Sequence, residues 1–207
     1  MKNNISHSEA IGRLKEGNQR FVTGVKSIES LATSAKRENL AANGQSPFAI
    51  VLGCADSRAP AELVFDAGLG DLFVVRVAGN IVAPSLLGSI EFAATNFGTP
   101  LCIVLGHTRC GAVAATADLL KAKKRAPTDH IQDIVLEIEP SVKLALAAQT
   151  PQGDRSLHED ATRINVVRSM ERLTERSQIL SDLVSKNEFK IIGGIYDLHS
   201  GRVNFLE

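Results

Sequence analysis

Two short motifs in the chain combine residue types that bind transition metals with residue types that handle protons. The first is Cys-Ala-Asp-Ser-Arg, from Cys54 to Arg58, and the second is Gly-His-Thr-Arg-Cys-Gly, which contains His107 and Cys110. Two thiolates and one imidazole suit zinc, which takes four ligands in a tetrahedron. Three protein ligands leave the fourth position free for water, and this vacancy distinguishes a catalytic zinc site from a structural one.

Asp56 and Arg58 give the first motif a second role. Only one residue separates them, so the guanidinium can pair with the carboxylate through two parallel hydrogen bonds. Zinc lowers the pKa of its bound water to about 7, and a paired, ionised Asp56 would accept a hydrogen bond from that water and orient the hydroxide. Without the pairing, Asp56 could bind zinc as a fourth ligand and close the site.

The elements that must position these motifs are short apolar runs, typical of buried strands, separated by helical patterns. Strands are predicted at 48–53, 71–77, 101–106, 189–196 and, as a short last strand, 203–205. Helices are predicted at 6–23, 86–96 and 112–124, and one long helix is predicted over 166–184. This alternation predicts an α/β fold with a mostly parallel central sheet of four to five strands covered by helices.

The position of the motifs within this fold predicts one site. Each motif directly follows a predicted buried strand, the first or the third along the chain. Ligand sites of α/β folds lie at the carboxyl ends of parallel strands. If the two strands are neighbours in the sheet, Cys54 meets His107 and Cys110 at one point.

The length of 207 residues favours a single domain over 1–207, with an N-terminal helical arm at 1–40 and an α/β core at 45–207. In the first helix, Asn18 interrupts an otherwise apolar stripe, and Gly24 is the expected stop. Residues 126–158 are richer in proline, glycine and charge and are expected to form a surface excursion with some helix.

Composition excludes several classes of partner. The 23 basic and 23 acidic residues give zero formal charge, hence no global field to attract nucleic acid or an anionic membrane. No apolar run approaches the ~18 residues of a membrane span, and no signal-peptide core is visible. We therefore expect a cytoplasmic protein with neither nucleic acid nor membrane as a partner. Three cysteines in such a chain indicate metal binding or catalysis, with Cys102 expected in the core.

Taken together, the motifs resemble those of the β-class carbonic anhydrases, and most closely the bacterial branch. The matching segments are C-A-D-S-R at 54–58, H-T-R-C-G at 107–111, G-Q-S-P at 44–47, D-L-F-V-V-R at 71–76 and G-I-Y-D at 194–197. The resemblance implies zinc-dependent, reversible hydration of carbon dioxide to bicarbonate and a proton, by attack of zinc-bound hydroxide on CO2.

Residue by residue, the resemblance implies one Zn²⁺ per chain held by Cys54, His107 and Cys110. It makes Asp56 and Arg58 the catalytic dyad, with Asp56 as a fourth zinc ligand in a closed state.

The resemblance also implies a substrate pocket shared between subunits. Gln45 matches a family glutamine whose amide hydrogen-bonds the substrate oxygen, and Phe73 and Phe92 match aromatic residues that line the carbon dioxide pocket. Many relatives have tyrosine where this chain has Phe92, so a hydroxyl is missing there. In the family, the residues matching Gln45 and Phe73 approach the metal of the other subunit. This implies a homodimer or homotetramer with active sites at the dimer interface.

Several alternatives stay open from sequence alone. A structural zinc in a non-catalytic, partner-binding protein would explain the cysteines and histidine, but not the adjacent Asp56 and Arg58. For Gln45 the less favoured alternative is a turn residue preceding Pro47, and for Phe73 and Phe92 the alternative is simple core. Some relatives with this zinc site hydrolyse carbon disulfide, and the sequence does not separate that substrate from CO2.

A second anion site is a further feature of some relatives. They bind bicarbonate between a tryptophan, an arginine and a tyrosine, and the matching positions here are Val51, Arg76 and Tyr196. Because the indole is missing, we predict weak or no inhibition by bicarbonate through that pocket.

Overall fold

The computed structural model describes residues 5–25, 27, 33–148 and 156–206, and its core is a five-stranded sheet in the order β2-β1-β3-β4-β5. Strands β1 to β4 are parallel, and β5 pairs antiparallel with β4. The strands are β1 (Ala49–Cys54), β2 (Leu72–Val77), β3 (Leu101–His107), β4 (Lys190–Tyr196) and β5 (Val203–Leu206). The predicted α/β fold with a mostly parallel sheet is confirmed.

Helices cover both faces of this sheet. In the described ranges they are α1 (His7–Thr23), α2 (Ser34–Asn43), α3 (Ala61–Val64), α4 (Pro84–Asn96), α5 (Gly111–Ala122), α6 (Asp129–Ala148), α7 (Leu157–Glu175) and α8 (Gln178–Ser185). None of the helices in those ranges is both long enough and apolar enough to cross a membrane.

The first helix starts one residue after the predicted 6–23 and ends as predicted, and its polar interruption has a structural reason. Gly24 ends α1 in the left-handed conformation, at φ 71°, as its role as a stop predicts. Asn18 is buried and donates to the carbonyls of Val64 (3.1 Å) and Gly201 (2.9 Å). Its side-chain oxygen accepts from the amide of Val203 at 2.9 Å. These bonds fix α1 to the body of its own chain.

The prediction of a single long helix over 166–184 is wrong. Helix α7 ends at Glu175, and α8 begins after Ser177, whose hydroxyl accepts from the amide of Leu180 at 3.1 Å. The same hydroxyl donates to Glu91 of α4 at 2.5 Å. The apolar spacing continues across the break, so periodicity alone could not reveal it.

The excursion predicted over 126–158 contains more helix than expected. Helix α6 runs for 20 residues and keeps Pro140 inside it. Residues 149–155 of that segment lie outside the described residues.

The arrangement of the central strands positions the candidate site. Strand β1 is buried along its whole length and pairs with both β2 and β3. Gly53 is in register with Leu105, so the carboxyl ends of β1 and β3 lie side by side. Cys102, inside β3, is fully buried, which raises the pKa of its thiol to about 12. It is a core residue, as predicted.

Candidate active site

Adjacent strands bring the two motifs together. Cys54 ends β1, His107 ends β3, and Cys110 immediately precedes α5. The Sγ atoms of Cys54 and Cys110 are 4.0 Å apart, and the ligand atoms of all three residues lie within 4.8 Å of one another. Each of the three side chains is at least nine-tenths buried.

The donor atoms of this cluster fit a zinc ion. His107 Nδ1 lies 3.0 Å from the carbonyl oxygen of Thr108, to which it donates, while its buried Nε2 has no hydrogen-bond partner. An orphaned buried nitrogen is costly unless something else coordinates it. Two sulfurs bound at about 2.3 Å to a tetrahedral zinc are about 3.8 Å apart, close to the observed separation of the two Sγ atoms.

The two thiols differ in acidity. The Cys110 thiol, the adjacent His107 ring and the Gly79 amide, which donates to the sulfur at 3.3 Å, lower the pKa of Cys54 despite its burial. The neighbouring Cys54 thiolate and burial raise the pKa of Cys110. Zinc binds cysteine as the thiolate, so a metal that binds both sulfurs must displace any thiol proton.

Asp56 and Arg58 form a bidentate pair beside the cluster. Arg58 Nε donates to Asp56 Oδ1 at 3.0 Å, Arg58 Nη2 donates to Oδ2 at 2.7 Å, and the Arg58 amide donates to Oδ1 at 2.9 Å. The guanidinium holds the pKa of Asp56 well below its usual range. Asp56 Oδ2 is only 3.9 Å from His107 Nε2, so the carboxylate adjoins the metal-binding cluster while it remains bound to Arg58.

The Gly79 amide donates to the Cys54 sulfur, and Gly79 is held in turn by two residues that the sequence did not reveal. The Gly79 carbonyl accepts from Asn165 Nδ2 of α7 at 2.8 Å, and Asn165 Oδ1 lies 3.3 Å from Ser141 Oγ of α6. Both side chains are at least 98% buried. In the sequence, Asn165 could have been noticed as a polar residue on the buried stripe of α7.

Thr108 fixes the carbonyl that orients His107. Its amide donates to the Tyr196 carbonyl at 2.9 Å, and its hydroxyl accepts from the Leu198 amide at 3.0 Å. The hydroxyl also lies 3.4 Å from Asp197 Oδ2. Asp197 belongs to the G-I-Y-D segment, so the structure gives that segment a positioning role for which the sequence offered no reason.

Gln45 and Phe73 are not brought to the cluster of their own chain. Phe73 is in register with Ile50, whereas Cys54 is in register with Val77. Four residues of strand separate the two levels, which corresponds to roughly 13 Å. Gln45 is exposed and precedes β1, at the strand end opposite Cys54.

Phe92 also lies away from the cysteines, on α4. Its side chain is 49% exposed, so the alternative that Phe92 is simple core does not hold within one chain. Ring centroids are separated by 6.4 Å for Phe73–Phe92, 6.0 Å for Phe73–Phe97 and 5.5 Å for Phe92–Phe97. The three rings form an aromatic cluster beside the edge strand β2.

A cavity of about 570 Å³ reaches the metal-binding cluster from the side of Cys110. Arg58 and Arg109 line it, together with the exposed His158 and His199. It gives the otherwise buried cluster a solvent-facing side.

Comparison with known proteins agrees with this geometry. A family model described as carbonic anhydrase matches residues 49–203. Carbonic anhydrase 2 of Mycobacterium tuberculosis (strain ATCC 25618 / H37Rv) is 40% identical over 193 residues, covering 91% of this chain and 87% of the relative. The carbonic anhydrase of Mycolicibacterium smegmatis is 39% identical over 190 residues, covering 92% and 88%.

Solved structures share the fold. The β-carbonic anhydrase CcaA matches with a TM-score of 0.75 at 24% identity, over 94% of both chains. A structure from a study of two tetrameric β-carbonic anhydrases of Sordaria macrospora matches with a TM-score of 0.70 at 21% identity, over 84% of this chain and 88% of that one. The matched family model and the mycobacterial relatives show that this chain belongs to the β-carbonic anhydrase family.

Proposed function

We propose that the protein catalyses the reversible hydration of carbon dioxide to bicarbonate and a proton, with one zinc ion held by Cys54, His107 and Cys110. One observation carries this proposal: the buried Cys–His–Cys cluster lies beside an ionised carboxylate that Arg58 holds 3.9 Å from His107 Nε2. A structural zinc site requires the cluster but gives no reason for the adjoining Asp56–Arg58 pair.

Zinc in this position supplies a water acidified to a pKa of about 7, and hence hydroxide near neutral pH. Side chains of the protein itself have the other roles in the proposed reaction. Asp56, ionised because Arg58 pairs with it, accepts the hydrogen bond of the nucleophile and turns a lone pair towards the carbon of CO2. While both oxygens of Asp56 are bonded to Arg58, the carboxylate is kept from taking the fourth ligand position itself.

The substrate pocket in this proposal is completed by a second copy of the chain. Gln45, Phe73 and Phe92 lie at the end of β1 and β2 opposite Cys54, so they serve substrate only if another subunit presents them. Strand β2 is at the edge of the sheet, and the exposed ring of Phe92 beside it is the kind of surface that an interface covers. The assembly proposed is a homodimer, alone or paired into a homotetramer.

In that dimer, the three residues have separate tasks. The Gln45 amide donates to a substrate oxygen, and the rings of Phe73 and Phe92 form an apolar wall for the nonpolar CO2 molecule. The wall also keeps bulk water away from the reacting carbon.

The test compares two cysteine variants for zinc content and CO2 hydration. Cys54→Ser should lose most bound zinc and hydration activity together, because one of three ligands is removed. Cys102→Ser is the matched control, since Cys102 is equally buried but lies outside the cluster. Elemental analysis and stopped-flow hydration measure the two quantities. Full zinc content in Cys54→Ser, or absence of hydration by the zinc-loaded wild type, would contradict the proposal.

A further inference from the structure

Arg76, on the edge strand β2, binds the main chain of the first motif at two points. Its Nε donates to the carbonyl of Cys54 at 2.9 Å, and its Nη2 donates to the carbonyl of Asp56 at 2.6 Å. Within the described ranges, no carboxylate pairs with this guanidinium, and its side-chain hydrogen bonds go to these two main-chain carbonyls. Hydrogen bonds from a charged donor are stronger than those between neutral groups.

These two bonds bracket the turn that carries the dyad. The amide of Ala55 donates to the Val77 carbonyl at 3.0 Å, and the amide of Ala59 donates to the Asp56 carbonyl at 3.0 Å. The Asp56 carbonyl therefore accepts from both Arg76 and Ala59, and the Cys54–Ala55 and Asp56–Ser57 peptide units are both held. A rotation of the main chain at Asp56 must break at least one bond to Arg76.

We propose that Arg76 is a positioning residue, which holds the turn at 54–58 so that the Asp56 carboxylate stays on Arg58. The inference rests on the proposed function, in which the place of Asp56 decides whether the site is open. Without the two bonds, these peptide units keep only the weaker neutral bonds to Val77 and Ala59, and Asp56 leaves Arg58 for a larger fraction of the time.

The amide of Arg58 reports directly on this arrangement, because it donates to Asp56 Oδ1 at 2.9 Å. The experiment measures hydrogen exchange of individual amides by ¹⁵N NMR in the zinc-loaded protein, for wild type, Arg76→Ala and Arg76→Lys. Exchange at the amides of Arg58 and Ala59 should rise about tenfold in Arg76→Ala. Arg76→Lys should give a smaller rise, because an ammonium group lacks the planar fork that serves two carbonyls.

Two comparisons keep the readout specific. Amides of the central strand β3 should exchange as in wild type in every variant, which separates a local effect from general destabilisation. Arg125→Ala is the matched control: its side chain is 77% exposed and pairs with Asp129 of α6. CO2 hydration should fall about tenfold in Arg76→Ala, recover in part in Arg76→Lys and stay unchanged in Arg125→Ala.

Unchanged exchange at Arg58 and Ala59 in Arg76→Ala would overturn the inference, whatever the activity. If that variant does not fold, the same comparison is made with Arg76→Lys, where wild-type exchange would overturn it equally. A wild type that exchanges as described but does not hydrate CO2 would instead refute the proposed function and leave the structural role of Arg76 standing.

Discussion

The two ends of strand β1 are built on opposite principles. At the carboxyl end, polar groups of the cluster and dyad are held by partners from the same chain: Arg58 holds Asp56, Gly79 holds the Cys54 sulfur, and Thr108 holds His107. At the amino end, Gln45 and the ring of Phe92 are exposed. In the proposed function, one chain thus carries a complete site for generating the nucleophile and an incomplete site for holding the substrate.

The largest expected effect comes from substitutions in the Asp56–Arg58 pair, at the carboxyl end of β1. Asp56→Asn and Arg58→Ala should keep their zinc, because three ligands remain, but lose CO2 hydration by at least about a hundredfold, because the nucleophile is no longer oriented. Zinc analysis and stopped-flow hydration on the same samples measure both. Asp118→Asn, exposed on α5, serves as control. Near-wild-type turnover in both dyad variants would remove the pair from the mechanism.

The proposed sharing of the substrate pocket between subunits is tested by combining two defective chains in one dimer. Cys54→Ser lacks a metal ligand but keeps Gln45, whereas Gln45→Ala keeps the cluster but lacks the amide. If each site combines the cluster of one chain with Gln45 of the other, a purified heterodimer has one intact site and should show about half of wild-type hydration. Differently tagged, co-expressed chains provide the heterodimer. Activity no higher than the mean of the two homodimers would show that sites are not shared in this way.

A smaller effect is expected from the support behind Cys54. Asn165→Leu removes the amide that holds the Gly79 carbonyl, so the Gly79 amide should no longer be fixed on the Cys54 sulfur. Zinc affinity should fall by roughly tenfold, as is usual for residues that orient metal ligands. Competition with a chelator measures it, with Asn96→Leu, exposed at the end of α4, as control. Unchanged affinity would show that the Gly79 contact does not depend on Asn165.

The smallest change is expected in the charge of Asp56 across the working pH range. Because Arg58 lowers its pKa, the carboxylate should stay ionised from roughly pH 6 to 9, and it should become protonated only as pH falls below the ordinary value of about 3.9. The ¹³C shift of the carboxyl carbon should show no protonation step over that range. Protonation of Asp56 near neutral pH would contradict this assignment.

An anionic Asp56 has a further consequence at the acid side of that range. We expect the carboxylate to leave Arg58 and bind zinc at the lower pH, closing the site, and to return at alkaline pH. Crystallography across roughly pH 6.5 to 9 would show the carboxylate in one place or the other. If Asp56 stays on Arg58 throughout, the protein lacks this switch, and loss of activity at low pH has another cause.

The sequence predicted those features of the fold and of the candidate site that depend on local residue patterns, and missed those that depend on contacts between distant residues. Apolar runs bounded by turn residues located the strands, and the two motifs at their ends located the cluster. The break at Ser177 was invisible because Leu173, Ser177 and Leu180 keep helical spacing across it. The break depends on Ser177 capping α8 and bonding Glu91, a partner 86 residues away.

The supporting contacts escaped prediction for a related reason. Asn165 contacts Gly79 only because α7 packs beside the turn after β2, and Arg76 reaches two carbonyls only because β1 and β2 are in register. Neither contact follows a residue spacing that can be recognised in the sequence.

The ligand set has a consequence for how the product leaves. Two thiolates cancel the double charge of a zinc ion, and Arg58 cancels the charge of Asp56, so the proposed centre is electrically neutral as a whole. CO2 is neutral and bicarbonate is an anion, and a neutral centre has no net Coulomb attraction with which to retain that anion. In the proposed reaction, two cysteine ligands would therefore assist release of bicarbonate, whereas histidines in their place would leave a cationic centre.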